Sequence, residues 1–304
     1  MSRKVVFIIL MSLLFVGKAA AQEFKVGTYN IFTSDSRVKA IDKNPQVSPQ
    51  RYWCNSAPAV ASMISSLDCD VLGVQEVCDS IWGVKGENDI KKLVAEQGKV
   101  DYDWVLYPNS KSGKIQYDVA IAYKKAKFNL LESGIFYLGG VRDSAILAPK
   151  APTGSQRPCV WAHLEHKDSG KDFYFLSVHF LVPQKGKDGK TNSAGNKYNM
   201  QRLREITMDM IPVDTPSILV GDFNADHNAK HWGSIGNARW FDLFRHYLAA
   251  GMLPADIKDW GTQNTKDEAS LTKWKPDHIS LDGFRPLDIN VDKRKFPTAD
   301  GTLH

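Results

Sequence analysis

Short apolar runs that each end on a polar residue recur along the chain. VGTYN stops at Asn30, VLGVQE at Glu76, FLSVH at His179 and SILVGD at Asp222, with Asn224 two residues on. Runs this short, enriched in β-branched and aromatic residues, read as strands. They predict strands over Phe24–Asn30, Val71–Glu76, Asp118–Tyr123, Phe173–His179, Ile218–Asp222 and His278–Leu281. Between them the period changes. Ala57, Val60, Ala61, Ile64 and Leu67 follow helical spacing, with Pro58 expected in the first turn. Met200, Leu203, Thr207 and Met210 repeat the pattern, as do Phe241, Phe244 and Leu248. Strands and helices without strict alternation predict an α/β sandwich. Two stretches, Gly139–Pro158 and the lysine-bearing Pro183–Lys197, read as long loops.

The first residues differ from the rest. Arg3 and Lys4 precede an apolar run, Val5 to Val16, broken by Ser12, and Ala19-Ala20-Ala21 follows. That is the layout of a secretory signal peptide over 1–21, with Gln22 as the new N-terminus. The run is too short for a membrane-spanning helix, which needs about 20 residues, and no later segment is long and apolar enough. The protein is therefore expected to be exported, to the periplasm or the medium, as a single domain over 22–304. Export leaves Cys54, Cys69, Cys78 and Cys159 open to either pairing or burial as thiols. None forms a C-x-x-C pair, which argues against a zinc site.

Charge then adjusts the picture. The formal net charge is +5, but the leader holds three of the 39 basic residues and no acid. The remainder carries 36 basic residues against 34 acidic ones, without the excess of a dedicated nucleic-acid binder. Lys111, Lys114, Lys124, Lys125 and Lys127 form a local basic run, read first as a solvated face.

The polar strand ends carry the candidate chemistry. Each has an ordinary explanation by itself: a turn asparagine, a solvated glutamate, a hydrogen-bonded histidine, an Asx-turn aspartate. Together they place two carboxylates, two amides and an imidazole where α/β sheets gather their ligands. No P-loop glycine pattern or G-x-S-x-G elbow is present. Hard oxygen donors suit Mg²⁺ or Mn²⁺, and a metal of that kind beside an aspartate suits hydrolysis of phosphate esters.

The order of VGTYNIF (26–32), DCDVLGVQEV (68–77), QYDVAIAYKK (116–125), FYFLSVHF (173–180), ILVGDFNAD (218–226) and KPDHISLDG (275–283) resembles the endonuclease/exonuclease/phosphatase superfamily, the deoxyribonuclease I-like metal-dependent phosphoesterases. The resemblance implies a four-layer sandwich of two packed mixed β-sheets flanked by helices, with a site at one end. It implies that Glu76 is the principal metal ligand and that Asn30 orders the site near the metal. His179 would contact the scissile phosphate, Asp222 orient or deprotonate the attacking water, and Asn224 hydrogen-bond the phosphate. Arg157, in SQRPCVWAHL, resembles a basic position that some members place before the histidine strand; a surface arginine is the equal alternative. Asp277 matches the aspartate that orients a final histidine, leaving His278 on the opposite face by strand alternation.

That final histidine belongs to an S-D-H-x-P-V strand, and FPTADGTLH resembles the stretch before it. The expectation is a C-terminally incomplete domain, with His304 as a partial substitute at best and low activity in this form. The expected protein is a monomeric hydrolase of phosphate esters, a phosphodiesterase or nuclease on one reading and a phosphatase on the other, with nucleic acid one candidate substrate class. The alternative is an exported binding protein that keeps the cleft without turnover.

Overall fold

The computed structural model describes residues 22–31, 53–77, 89–107, 119–141, 144–185, 191–226, 240–252 and 276–290, with 292, 294, 296, 297 and 299. The leader, the basic residues Lys111 and Lys114, Cys78 and His304 lie outside the described residues.

Two mixed sheets face each other. The first holds β1 (Val26–Asn30), β2 (Val71–Gln75), β3 (Tyr102–Val105) and β4 (Val119–Lys124), in the order β1-β2-β4-β3. Among its described strands β1 and β2 run parallel and the other neighbours antiparallel. The second takes β5 (Phe128–Tyr137), β8 (Pro158–His166), β9 (Lys171–His179), β12 (Ser217–Asp222), β13 (Phe241–Asp242) and β14 (Asp277–Asp282), in the order β13-β14-β12-β9-β8-β5. Here β9 and β12 run parallel and the other neighbours antiparallel. Among the described residues two small antiparallel pairs accompany the sheets: β6 (Gly140–Val141) with β7 (Ser144–Leu147), and β10 (Gln184–Lys185) with β11 (Thr191–Asn192).

Alternation of side chains divides the core into three layers. Leu72, Val74, Ala120 and Ala122 face helices α1 (Trp53–Leu67) and α2 (Ile90–Glu96). Val71, Ile121, Phe173, Phe175, Ile218 and Val220 pack between the sheets. Leu176, Val178 and Leu219 face α3 (Ala194–Met210) through Met200 and Leu203. A further helix, α4 (Leu243–Ala249), follows β13 and contributes Leu243 and Tyr247 to the middle layer. This is the expected arrangement of two mixed sheets with flanking helices, and no helix among the described residues is long and apolar enough to cross a membrane.

Several elements depart from the sequence reading. Helix α1 starts before its periodic stripe, so Pro58 lies inside it rather than in the first turn. The presumed loop 139–158 contains the β6–β7 hairpin, and 183–197 contains β10, β11 and the first turn of α3. Strand β5 carries no clean alternation because it is a sheet edge with a bulge at Leu130–Glu132, and it leaves Leu130 and Leu131 exposed. Cys69 and Cys159 are buried free thiols. Burial pushes the Cys69 thiol up to about 11, which keeps it protonated and inert.

Candidate active site

Strand register assembles the site. Asp222 pairs with His179 on one side and with Asp277 on the other, so these three residues lie level across β14, β12 and β9. Their strand neighbours two residues back or ahead (Val220, Ile279 and, on β9, Phe175 further along) belong to the layer between the sheets. All three therefore project toward the facing sheet. Asn30 ends β1 on that facing sheet, two residues after Thr28 and four after Val26 on the same inner side. Its amide Nδ2 donates to Asp222 Oδ2 at 2.9 Å and to Glu76 Oε1 at 3.3 Å. One side chain thus joins two carboxylates carried by different sheets.

The backbone at both exits is unusual. Glu76 follows β2 with φ 59° and Asn224 follows β12 with φ 47°. Left-handed geometry is uncommon for glutamate and better tolerated by asparagine. Outliers of this kind collect at functional sites, where surrounding contacts hold them. The turn after β12 is tied down closely. Asn224 N–H donates to Asp222 Oδ1 at 2.8 Å, an Asx-turn, and its Nδ2 donates to the Phe180 carbonyl at 2.9 Å. Phe180 N–H in turn donates to the Asp222 carbonyl at 2.9 Å. With Oδ1 engaged by the turn, Oδ2 of Asp222 faces Asn30 and His179, whose Nε2 lies 3.8 Å away. Asp222, Asn224 and His179 are 7%, 5% and 6% exposed, so these polar groups are already largely desolvated. Gly221 makes the approach possible. It has φ 149°, and a Cβ there would lie 2.0 Å from the Val178 carbonyl oxygen.

Below the site a buried polar chain crosses the sandwich. Thr28 Oγ1 donates to Gln75 Oε1 at 3.0 Å, and Gln75 Nε2 donates to Ser177 Oγ at 3.2 Å. These residues were missed in the sequence. The available signal was Gln75 and Ser177 interrupting two apolar strands at inner positions. Two further residues were missed on α3. Asn196 Nδ2 donates to the carbonyls of Leu181 and Phe223, at 3.0 and 2.6 Å. Asn199 accepts from Leu181 N–H at 3.0 Å and donates to the Ser155 carbonyl at 2.7 Å. Both sit on the apolar stripe with Met200 and Leu203, where asparagine is out of place unless it has a task.

Arg157 lies just before β8, half-buried, at the same end of the sheet: Cys159 pairs with Val178, the neighbour of His179. The basic run behaves differently. Lys124 bonds Asp68 and Asp70 at 2.7 and 2.9 Å, and Lys127 bonds Asp70 at 2.8 Å. Asp70 precedes β2, so this cluster sits at the opposite end of the strand from Glu76. Lys125 pairs there with Asp101 at 3.3 Å. These lysines do not line the site.

Among the described residues no group of three or more His, Cys, Asp or Glu could hold a metal by itself. That does not conflict with the donors present. Mg²⁺ is commonly held by one or two carboxylates and keeps several waters. Two carboxylates drawn to one amide are a cation-compatible arrangement of hard oxygens.

The endonuclease/exonuclease/phosphatase family model matches residues 27–246, and the chain belongs to that family of phosphoester hydrolases. No curated protein matches the sequence. Among solved structures the chain is similar to a mannosyl-6-phosphatase from Bacteroides thetaiotaomicron, at 22% identity and TM-score 0.61, over 86% of each chain. It is also similar to an endonuclease/exonuclease/phosphatase from Bacteroides vulgatus, at 18% identity and TM-score 0.60, over 86% of this chain and 87% of the other. The catalytic domain of human nocturnin, solved with a bound sulfate anion, matches at 17% identity and TM-score 0.52, over 86% and 83%. These likenesses establish a shared fold. The family match ends before Asp277, which β14 nevertheless sets beside Asp222.

Proposed function

We propose that the protein is an exported, Mg²⁺-dependent hydrolase of phosphate esters, working at the cleft between Asn30, Glu76, His179, Asp222 and Asn224. The observation that carries this reading is the Asn30 amide joining Glu76 and Asp222 from opposite sheets. Glu76 and Asn30 are the residues that would hold the cation. When bound, it would polarise the phosphoryl group and stabilise the leaving oxyanion.

The remaining steps fall to the protein's own groups. Asp222 Oδ2 orients a water and accepts its proton as the water attacks phosphorus. The Asx-turn fixes the direction of that carboxylate, so little reorganisation is needed. His179, one strand over and level with Asp222, donates to a phosphoryl oxygen. An amide carries two N–H hydrogens, and Phe180 takes one from Asn224, leaving the other for the phosphate. Arg157 contributes positive charge at the same rim. Asp277, level with Asp222 on the neighbouring strand, adds a carboxylate to the same rim. The mannosyl-6-phosphatase likeness makes small phosphorylated sugars a class to test beside nucleic acids.

The test is turnover of a generic phosphodiester and a phosphomonoester with Mg²⁺, Mn²⁺ or chelator. Metal-dependent release of product that disappears in Asp222→Asn is the expected result. Turnover unaffected by both the chelator and the substitution would end the proposal. Binding that falls steeply with salt would favour a nucleic-acid substrate, and salt-independent kinetics a small ester.

A further inference from the structure

Behind the site, on the outer face of β14, His278 is 2% exposed and makes two short polar contacts. Its Nδ1 lies 2.9 Å from Asp242 Oδ2 and its Nε2 lies 2.8 Å from the Ala225 carbonyl oxygen. A carbonyl oxygen only accepts, so Nε2 carries a proton. The other oxygen of Asp242, Oδ1, accepts from Arg245 N–H at 2.9 Å at the start of α4. With Oδ1 taken up by that backbone donor, Oδ2 is the oxygen that accepts from Nδ1–H. The contacts are therefore best met by an imidazolium ion paired with a carboxylate, both almost wholly buried. A buried ion pair of this kind is weak evidence for stability. Its placement suggests another use. Ala225 immediately follows Asn224, and Phe223, on the other side of Asn224, has its ring 5.3 Å from the His278 ring. Phe223 N–H also donates to the Pro276 carbonyl at 2.7 Å, two residues before His278. The turn bearing Asp222 and Asn224 is thus anchored to β14 from behind.

We infer that the His278–Asp242 pair is a positioning device, which holds the 222–225 turn so that Asp222 and Asn224 keep their aim toward the cleft. The catalytic part of this inference rests on the proposed hydrolase reading; the anchoring part does not. Burial opposes the charged imidazole, but Asp242, the Ala225 carbonyl and the nearby Asp277 outweigh it and hold His278 above its ordinary range. Among the described residues, Asp242 from the β13–α4 junction and the Ala225 carbonyl from the turn after β12 meet the ring directly, and Asp277, its neighbour on β14 with a side chain on the other face, acts on it through charge alone.

Nitrogen NMR of imidazole-labelled protein tests the anchor directly. Both ring nitrogens of His278 should remain protonated at pH 7.5, and Asp242→Asn should abolish that state. Hydrogen exchange at the Asn224 amide should accelerate at least tenfold in Asp242→Asn and in His278→Gln. A His278 that titrates near the unperturbed value of about 6.5, or Asn224 exchange unchanged in both variants, overturns the inference. Neither readout needs turnover, so an inactive parent protein would sink the hydrolase reading alone. Where turnover is present, kcat should fall about 10–100-fold, as small misplacements of reacting groups do, with KM changed less than threefold. An unchanged kcat in both variants also overturns it.

Discussion

Gly73 sits in the middle of β2, facing the second sheet, and the spacing of the two sheets beneath the site depends on it. A Cβ at this position would lie 2.3 Å from Val220 Cγ2 and 3.0 Å from Ser177 Oγ. Real side chains do not approach that closely, so Gly73→Ala forces the sheets apart or turns Val220 off its rotamer. Overpacking of this size costs about 1–3 kcal/mol. Val220→Ala alone removes two buried carbons, about 1.6 kcal/mol by transfer, and about 2–3 kcal/mol with its cavity. In the double variant the new methyl occupies the space of the lost one. The combined destabilisation should therefore fall short of the sum by about 1 kcal/mol or more, a coupling that a double-mutant cycle resolves. Urea unfolding followed by tryptophan fluorescence supplies the four free energies. Additivity within about 0.5 kcal/mol would show that the residues do not compete for one space, and the close-contact argument would fail. Because Glu76 and Asp222 lie on the two sheets being separated, turnover should drop in Gly73→Ala while most molecules remain folded.

Other consequences follow from the same geometry. Asp222→Asn should lower kcat by about 10²–10⁴-fold while leaving the unfolding midpoint within a few degrees, read by circular dichroism. Glu76→Ala should raise the Mg²⁺ concentration for half-maximal activity more than any other single change in the cleft, read by metal titration. Asp70, buried against Lys127, the Lys25 backbone and Lys124, is held below the ordinary carboxylate range despite the opposing effect of burial. The stability it supplies is thus present above the unfolded pKa of about 3.9 and is lost as the pH falls through the lower folded value. Asp70→Asn should cost about 1–3 kcal/mol at pH 7, with the gap to the parent closing below pH 4 in urea titrations. For His278 the sign is reversed: its raised folded pKa gives stability that is complete below about pH 6.5 and declines as the pH rises through the folded value.

Much of the site could be read in the chain because its residues stand where apolar runs stop. Asn30, His179 and Asp222 end their strands and Asp277 begins one, and strand alternation alone puts His278 behind the sheet. The supporting residues were harder to find. Gln75 and Ser177 look like blemishes in apolar strands until the sheets are docked and their side chains meet. Asn196 and Asn199 have helical spacing, but their partners are backbone carbonyls that no periodicity reveals. Asp242 is linked to His278 across 36 residues of chain. Strand β5 was missed because an edge strand has no second buried neighbour to enforce alternation. The fold's order is local information; its polar wiring depends on which turns happen to meet.

The left-handed residue at position 76 has an evolutionary cost. A glutamate there gives up about 1–2 kcal/mol relative to a residue without a side chain, and glycine returns about 0.5–1 kcal/mol of that through the greater freedom of the unfolded chain. Glu76→Gly would accordingly be nearly neutral or mildly favourable for melting temperature while erasing the carboxylate. A library screened for heat resistance alone would accept that replacement, so thermal robustness and chemical competence pull this position in different directions.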